Sequence, residues 1–253
     1  MPGSPATLAM QVKLVVEYDG SNYCGWQVQV GQDSIQGQLE DALARIFGTA
    51  VRVRGSGRTD AGAHALGQTA AARLPRAFEP AKLKSALNAL LPSDIAIRQV
   101  VTVAEGFDPR RDARRRVYEY RILNRGCRSA FDRRYAWLVR APLDVDAIRL
   151  AAALFVGEHD FAAFRAVGSG ERSTMRRIYE SRWTSSGERL VYHVEANAFL
   201  RHMVRTMVAT MVAVGRRTLP PESVEMLIRS RNRALAPATA PACGLFLVAV
   251  RYD

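Results

Sequence analysis

The sequence predicts an α+β protein made of two similar α/β halves. Three observations carry that expectation. Runs rich in β-branched residues alternate with segments whose apolar residues recur every three or four positions. The order strand, helix, strand, strand, helix, strand in the first part returns in the second, where helix, strand, strand, helix, strand follow an opening strand. The chain has 253 residues, 48% of them hydrophobic, which suffices for a sizeable core in one large domain or two small ones. The expected division places one half at 10–105 and the other at 106–253.

The elements follow in order. Gln11–Gly20 (QVKLVVEYDG) is β-rich and closes on an Asp-Gly turn. Asp33–Gly48 is helical: Ile35, Leu39, Leu43 and Ile46 share a face, Asp33 or Ser34 caps the start, and Gly48 ends it. Val51–Gly55 is a short strand into a glycine-rich loop, and His64–Leu74 a strand out of it. Pro80–Pro92 is a helix bounded by prolines, and Ile95–Val103 a further strand. Arg115–Leu123 alternates cleanly, with Tyr118, Tyr120 and Ile122 on one face and Val117, Glu119 and Arg121 on the other. Leu143–Phe155 is a helix capped by Asp144 or Asp146. Two strands flank Ser186-Gly187. Ala198–Gly215 is expected as one long helix, with Asn197 as N-cap and Gly215 past its end. A helix in Pro220–Arg231 and a closing strand in Cys243–Asp253 complete the chain. The helices are expected on one face of a mixed or antiparallel sheet.

Charge narrows the function. There are 36 Lys+Arg against 24 Asp+Glu, a formal net charge of +12, with a pI near 10.3. Such a chain calls for an anionic partner, nucleic acid first. Arginines cluster in Pro109–Arg121 and Glu171–Arg177; one cluster alone is a solvated face, but together they suit phosphates and bases. The most apolar helical run, Met203–Val214, carries Arg205 and falls short of the roughly 20 residues a membrane helix needs. Cys24, Cys127 and Cys243 stand far apart, which fits a reduced cytoplasm. The four histidines form no ligand pair, so no metal is expected. Met1–Met10 lacks a charged and an apolar region and is expected as a disordered tail rather than a signal peptide.

The sharpest motif is GSGRTDAGAHA, Gly55–Ala65. It is no P-loop, because Ala63 and His64 stand where Lys and Ser/Thr would be needed. It is no dinucleotide fingerprint, because Asp60 stands at the third glycine and would repel pyrophosphate. The glycines therefore shape a loop that presents Asp60, with Arg58 two residues before it. An aspartate in a turn ordinarily bonds nearby backbone. On a chain that binds a polyanion, a carboxylate also serves as a nucleophile or a general base. No acidic cluster supports metal-dependent phosphodiester cleavage, and no second carboxylate supports a glycosidase. Tyr118, on a strand beside the basic run, suits stacking on a base or ordinary core packing. Arg201 and Arg205, four apart, are expected on one helix face that continues into Val208 and Val212; a partly buried Arg205 needs an anion, for which Asp60 is a candidate.

Seven ordered blocks then carry a resemblance: YDGSNYCGWQ (Tyr18–Gln27), SIQGQLEDAL (Ser34–Leu43), GRTDAGAHA (Gly57–Ala65), RRVYEYRI (Arg115–Ile122), GEHDFAAFRA (Gly157–Ala166), NAFLRHMVR (Asn197–Arg205) and GLFLVAVRY (Gly244–Tyr252). The chain resembles the tRNA pseudouridine synthase A family. The resemblance implies a pseudouridine synthase fold, its two halves joined in one extended sheet around a central basic cleft. It implies isomerisation of uridine to pseudouridine in the anticodon stem-loop of tRNA (nucleotides 38–40), by a cytoplasmic homodimer with no cofactor and no metal. It assigns Asp60 as nucleophile, Arg58 to moving the base out of the helix, Tyr118 to stacking on it, and Arg205 to pairing with the nucleophile. Arg201, His202 and Leu245 join Tyr118 and Arg58 as substrate-binding residues. Ala63, where the family more usually has valine, is expected only to retune packing, and His64 to pack or hydrogen-bond. The competing readings are a non-catalytic RNA chaperone, a phosphate-handling enzyme and a DNA-binding regulator.

Overall fold

The computed structural model describes residues 9–253, so the expected N-terminal tail lies almost wholly outside them. The described chain falls into two compact units. One runs through Ala113 and includes Tyr252; the other is Arg114–Arg251 with Asp253.

The first unit holds β1 (Met10–Tyr18), α1 (Ile35–Phe47), β2 (Val53–Gly55), β3 (His64–Leu74), α2 (Pro80–Leu90) and β4 (Ile95–Thr102). β1 is the middle strand, antiparallel to β3 (Leu14↔Ala70) and to β4 (Val12↔Thr102); β2 continues the sheet from β3 (Val53↔Ala72). The alternation of β1 sets its register, since Val12, Leu14, Val16 and Tyr18 are all buried. α1 starts on Ser34, whose extended backbone and side-chain oxygen, accepting from the Gly37 N–H, satisfy one donor the first turn leaves open. Its buried stripe is Ile35, Leu39, Ala42 and Leu43. α2 opens on Pro80, buries Leu83 and Leu87, and packs along β4. The ring of Tyr252 packs on Phe107 at 5.1 Å, with Lys13 Nζ 5.4 Å from its centroid and its hydroxyl on the Pro109 carbonyl.

The second unit holds β5 (Arg115–Asn124), β6 (Trp137–Val139), α3 (Val145–Ala153), β7 (Gly157–Asp160), β8 (Met175–Ser186), β9 (Arg189–Ala196), α4 (Met203–Gly215), α5 (Ser223–Ser230) and β10 (Leu245–Arg251). Its strands run β10-β5-β9-β8-β7, all antiparallel, and β6 pairs with β5 in parallel, so the sheet is mixed. In each unit the first strand lies inside the sheet with the unit's last strand on one side, and, with the short β6 and β7 set aside, its third then second on the other: β4-β1-β3-β2 and β10-β5-β9-β8. The repeated element order is thus also a repeated topology. Tyr120, Tyr192, Phe155, Phe161 and Phe164 form the aromatic part of this unit's core with Met207 and Met211 of α4. Among the described residues no helix is long and apolar enough to cross a membrane.

The structure departs from expectation around α4. The helix begins at Met203, not Ala198, and Asn197 does not cap it. The Asn197 Oδ1 accepts instead from the N–H of Ala198 and of Arg177, which folds a bend there. His202 takes the N-cap place in the left-handed region (φ 64°), and its side chain makes no capping bond to the first turn. Arg201 therefore lies in the preceding turn, and Arg201 and Arg205 do not share a helix face. Gly215 is the last helical residue rather than the one beyond: a Cβ there would meet Ile148 of α3 at 2.4 Å, so it is needed for close helix packing. β6 and β7, of three and four residues, were not foreseen, because periodicity does not show in so few positions.

Candidate active site

The loop Ser56–Ala63 connects β2 to β3, and both of its ends are tied down. The Ser56 N–H donates to the Thr69 carbonyl (2.8 Å), and its hydroxyl to Gln68 Oε1 (2.7 Å). Gln68 Nε2 donates back to the Gly57 carbonyl (2.9 Å), and the Ala63 N–H closes a turn on the Asp60 carbonyl (3.1 Å). Behind the loop runs the segment after β1. There the Tyr18 hydroxyl shares a buried hydrogen bond with Thr59 Oγ1 (2.8 Å), and the Trp26 N–H donates to the Thr59 carbonyl (3.2 Å). Gly25 permits this approach: its φ is +104°, and a Cβ would meet the Thr59 carbonyl at 2.5 Å. Thr59 is consequently buried, while Arg58 before it is exposed and Asp60 after it half-exposed. The loop aims its arginine and its carboxylate outward by anchoring the residue between them.

His64 is 1% exposed. Its Nδ1 lies 3.1 Å from the Gly20 N–H and 3.1 Å from Asp19 Oδ1, so the ring is tied to the turn that follows β1. Nearby, the Tyr23 hydroxyl donates to Asp94 Oδ1 (2.6 Å); burial first, then this bond, pushes its pKa well above the usual phenol range.

The other residues named from the sequence lie in the second unit. Tyr118 on β5 is half-buried, opposite Leu247 of β10 and Val194 of β9, and its ring meets Phe199 edge to face at 5.0 Å. Its neighbour Tyr120 is fully buried, donates to the Pro241 carbonyl (2.7 Å), and is raised in pKa by burial. Leu245 of β10 lies opposite Tyr120 and is 7% exposed. Arg205, in the first turn of α4, is half-buried; its Nε donates to the Ala240 carbonyl at 2.7 Å. Arg201 is exposed. Its N–H donates to Glu171 Oε1 (3.2 Å) and its carbonyl accepts the Ala166 N–H (2.8 Å). The structure thus brings Arg58 and Asp60 together on one loop, and Arg201, His202 and Arg205 together at the start of α4.

Sequence reasoning missed Thr59, Tyr18 and Trp26, the loop's supports. The blocks YDGSNYCGWQ, for Tyr18 and Trp26, and GRTDAGAHA, for Thr59, were their only signal. It also missed a group with metal-ligand chemistry: the ligand atoms of Glu180, His193 and Glu195 lie within 4.8 Å of one another. Arginines occupy that charge instead. Glu195 pairs with Arg115 (3.0 Å) and Arg251 (3.5 Å), and Glu180 pairs with Arg182 as well as His193. Three guanidinium groups stand where a cation would have to compete.

A family model described as tRNA pseudouridine synthase matches residues 14–110 and 151–253. The chain belongs to the tRNA pseudouridine synthase family. Among individual relatives it is 46% identical over 241 residues to the tRNA pseudouridine synthase A of Pelobacter propionicus, covering 95% of this chain and 99% of that one. To the protein of that name from Myxococcus xanthus it is 45% identical over 243 residues, covering 96% and 92%. To that from Geobacter sulfurreducens it is 44% identical over 241 residues, covering 95% and 99%. The matched segments of this tRNA pseudouridine synthase contain Arg58, Asp60, Arg201, His202, Arg205 and Leu245, while Tyr118 lies between them.

Proposed function

We propose that this chain converts uridine to pseudouridine in the anticodon stem-loop of tRNA, nucleotides 38–40, with Asp60 as nucleophile. The carrying observation is the presentation of Asp60, a half-exposed carboxylate on a loop locked through Thr59, in a chain of net charge +12. Family membership supports the reading.

The physical problem is access. Inside a stacked helix the C1′ of a uridine ribose and C5 of its base cannot be brought together, so the nucleotide is turned out at a cost of about a few kcal/mol. Arg58 is the cation that accompanies the displaced strand. Tyr118 stacks on the extruded base, which returns about 1–3 kcal/mol. Asp60 then attacks, at C1′ of the ribose or at C6 of the ring. The N1–C1′ bond breaks, the uracil turns, C5 bonds to C1′, the bond to Asp60 breaks and returns the carboxylate, C5 gives up its proton and N1 ends protonated. Atoms and electrons balance within the uridine, so the reaction consumes nothing and needs neither metal nor redox partner. Arg205 supplies the positive charge that pairs with the nucleophile. Arg201, His202 and Leu245 complete the substrate contacts. The working form is a cytoplasmic homodimer with tRNA touching both subunits.

The test is tritium release from tRNA labelled at uridine C5, wild type beside Asp60→Ala, without added metal or nucleotide. Release by the wild type alone is expected. Release by both removes Asp60 as nucleophile, and release by neither, with tRNA binding intact, turns the reading to an RNA chaperone.

A further inference from the structure

In the first unit a groove of about 240 Å³ runs beside the Ser56–Ala63 loop. Trp26, itself 2% exposed, underlies it, and Arg54, Arg58 and Arg110 line it with exposed side chains. Asp108 is the one acid among its lining residues, so three positive groups less one negative leave a formal charge of +2. That carboxylate is already engaged. Its Oδ1 accepts the N–H of Arg110 and of Arg111, each at 2.9 Å, while Arg54 NH1 stands 3.7 Å from Oδ2, beyond hydrogen-bond length. Asp108 therefore leaves the Arg54 guanidinium with capacity for another anion, and Arg58 and Arg110 add positive charge to the lining.

Two glycines form the wall, for opposite reasons. At Gly55 a Cβ would meet the Trp26 indole at 2.5 Å, so the fold itself demands glycine. Gly57 has no left-handed φ, and a Cβ there would meet nothing within 4 Å. Its carbonyl is held by Gln68 Nε2 at 2.9 Å, so this stretch of backbone is anchored. Nothing in the protein's own packing requires glycine at 57. A bare, anchored backbone in the wall of a cationic groove is what a ligand lying against the chain requires.

We propose that this groove is a subsite for the nucleotide next to the target uridine, with its ribose against Gly57 and its phosphate on Arg54 and Arg110. The inference rests on the pseudouridine synthase reading, since Gly57 is three residues from Asp60 and adjoins Arg58. A phosphodiester matches the charge, and the fork of arginine matches its oxygens.

The experiment measures tRNA binding against salt, and tritium release in steady state and in single turnover. It uses the wild type, Gly57→Leu, the double variant Arg54→Ala/Arg110→Ala, and the exposed α1 variant Arg45→Ala as control. Gly57→Leu fills the groove. It and the double variant raise KM roughly tenfold or more, as lost charged contacts do, with the loss on KM rather than the saturated rate. The double variant also lowers the slope of log affinity against log salt by about 0.7–0.9 per lost contact, whereas Gly57→Leu, which removes no charge, weakens binding without that per-arginine change. Arg45→Ala changes neither. If Gly57→Leu and the double variant bind as wild type does, or Arg45→Ala matches the double variant, the subsite is wrong. If only the double variant weakens binding and inorganic phosphate competes equally well in Gly57→Leu, the groove takes a bare anion and not a nucleotide. Should Gly57→Leu fail to fold, the double variant against Arg45→Ala decides. A wild type that binds tRNA but releases no tritium fails the isomerase reading instead, and the binding data still judge the groove.

Discussion

Thr59 is the buried residue between an exposed Arg58 and a half-exposed Asp60. Its hydroxyl meets Tyr18 and its carbonyl meets Trp26, so both polar groups are fixed from behind. Thr59→Val keeps the shape and removes the hydroxyl, which leaves the Tyr18 oxygen buried without this partner, at a cost of about 1–3 kcal/mol. Tyr18→Phe in the same chain should recover part of that cost, giving a coupling of about 1 kcal/mol in a double-mutant cycle read by urea unfolding. Thr59→Ser, which keeps the hydroxyl, should retain tritium release where Thr59→Val loses it. Additive losses, or equal activity in the two, would show that the bond does not hold the loop. The arginine and the aspartate of this motif were legible in the sequence because charge on a glycine-rich loop stands out. The threonine was not, because its partner is 41 residues away and only the fold brings them together.

At the level of elements, what was legible follows from length and local chemistry. α1 was read nearly whole, with Ala42 rather than Ile46 in the buried stripe and Ser34 the cap of the two candidates, since its apolar spacing spans thirteen residues and its cap is a local hydrogen bond. Ser34 is 2% exposed and accepts from Gly37 at 3.2 Å; Ser34→Ala should lower stability by about 1 kcal/mol, seen as a drop in Tm without loss of helical signal. An unchanged Tm would show that Asp33 or water replaces the cap. α4 was misread at its start because Asn197 has the right residue type. What no sequence pattern displays is that its side chain is spent on the Ala198 and Arg177 amides. That error carried the shared face of Arg201 and Arg205 along with it; Arg205 stands in the first turn of α4, where its Nε donates to the Ala240 carbonyl.

For the molecule as a whole, the excess of arginine sets its response to acid and salt. The carboxyls of Asp108, Asp144 and Glu180 are each held below the ordinary range. For Asp108 the leading cause is the Arg111 N–H, for Asp144 the Ala147 N–H, and for Glu180 its bond to Arg182. A carboxyl whose pKa is lower folded than unfolded contributes stability above the unfolded value, and that contribution is lost as pH falls through the folded one. Thermal stability should therefore hold down to about pH 4, where unfolded carboxyls begin to titrate, and fall below it. The loss should steepen because removing negative charge from a +12 chain adds self-repulsion. A Tm flat from pH 6 to 3 would contradict this.

The central placement of each unit's first strand has a consequence for the order in which the protein is made. β1 is synthesised first and is complete in its pairing only when Thr102 of β4 has emerged. β5 waits longer: its far partner ends at Arg251, 127 residues after Asn124 (251 − 124). At about 5–20 residues per second, that is on the order of ten seconds in which the Arg115–Tyr120 stretch of β5 lacks its β10 partner, β6 covering only Ile122–Asn124. Arg115, Arg116 and Arg121 lie on that strand, and charge on an open strand flank discourages pairing with another nascent chain. Arginines that add to the finished protein's net charge of +12 would thus also keep its unfinished copies apart on the ribosome.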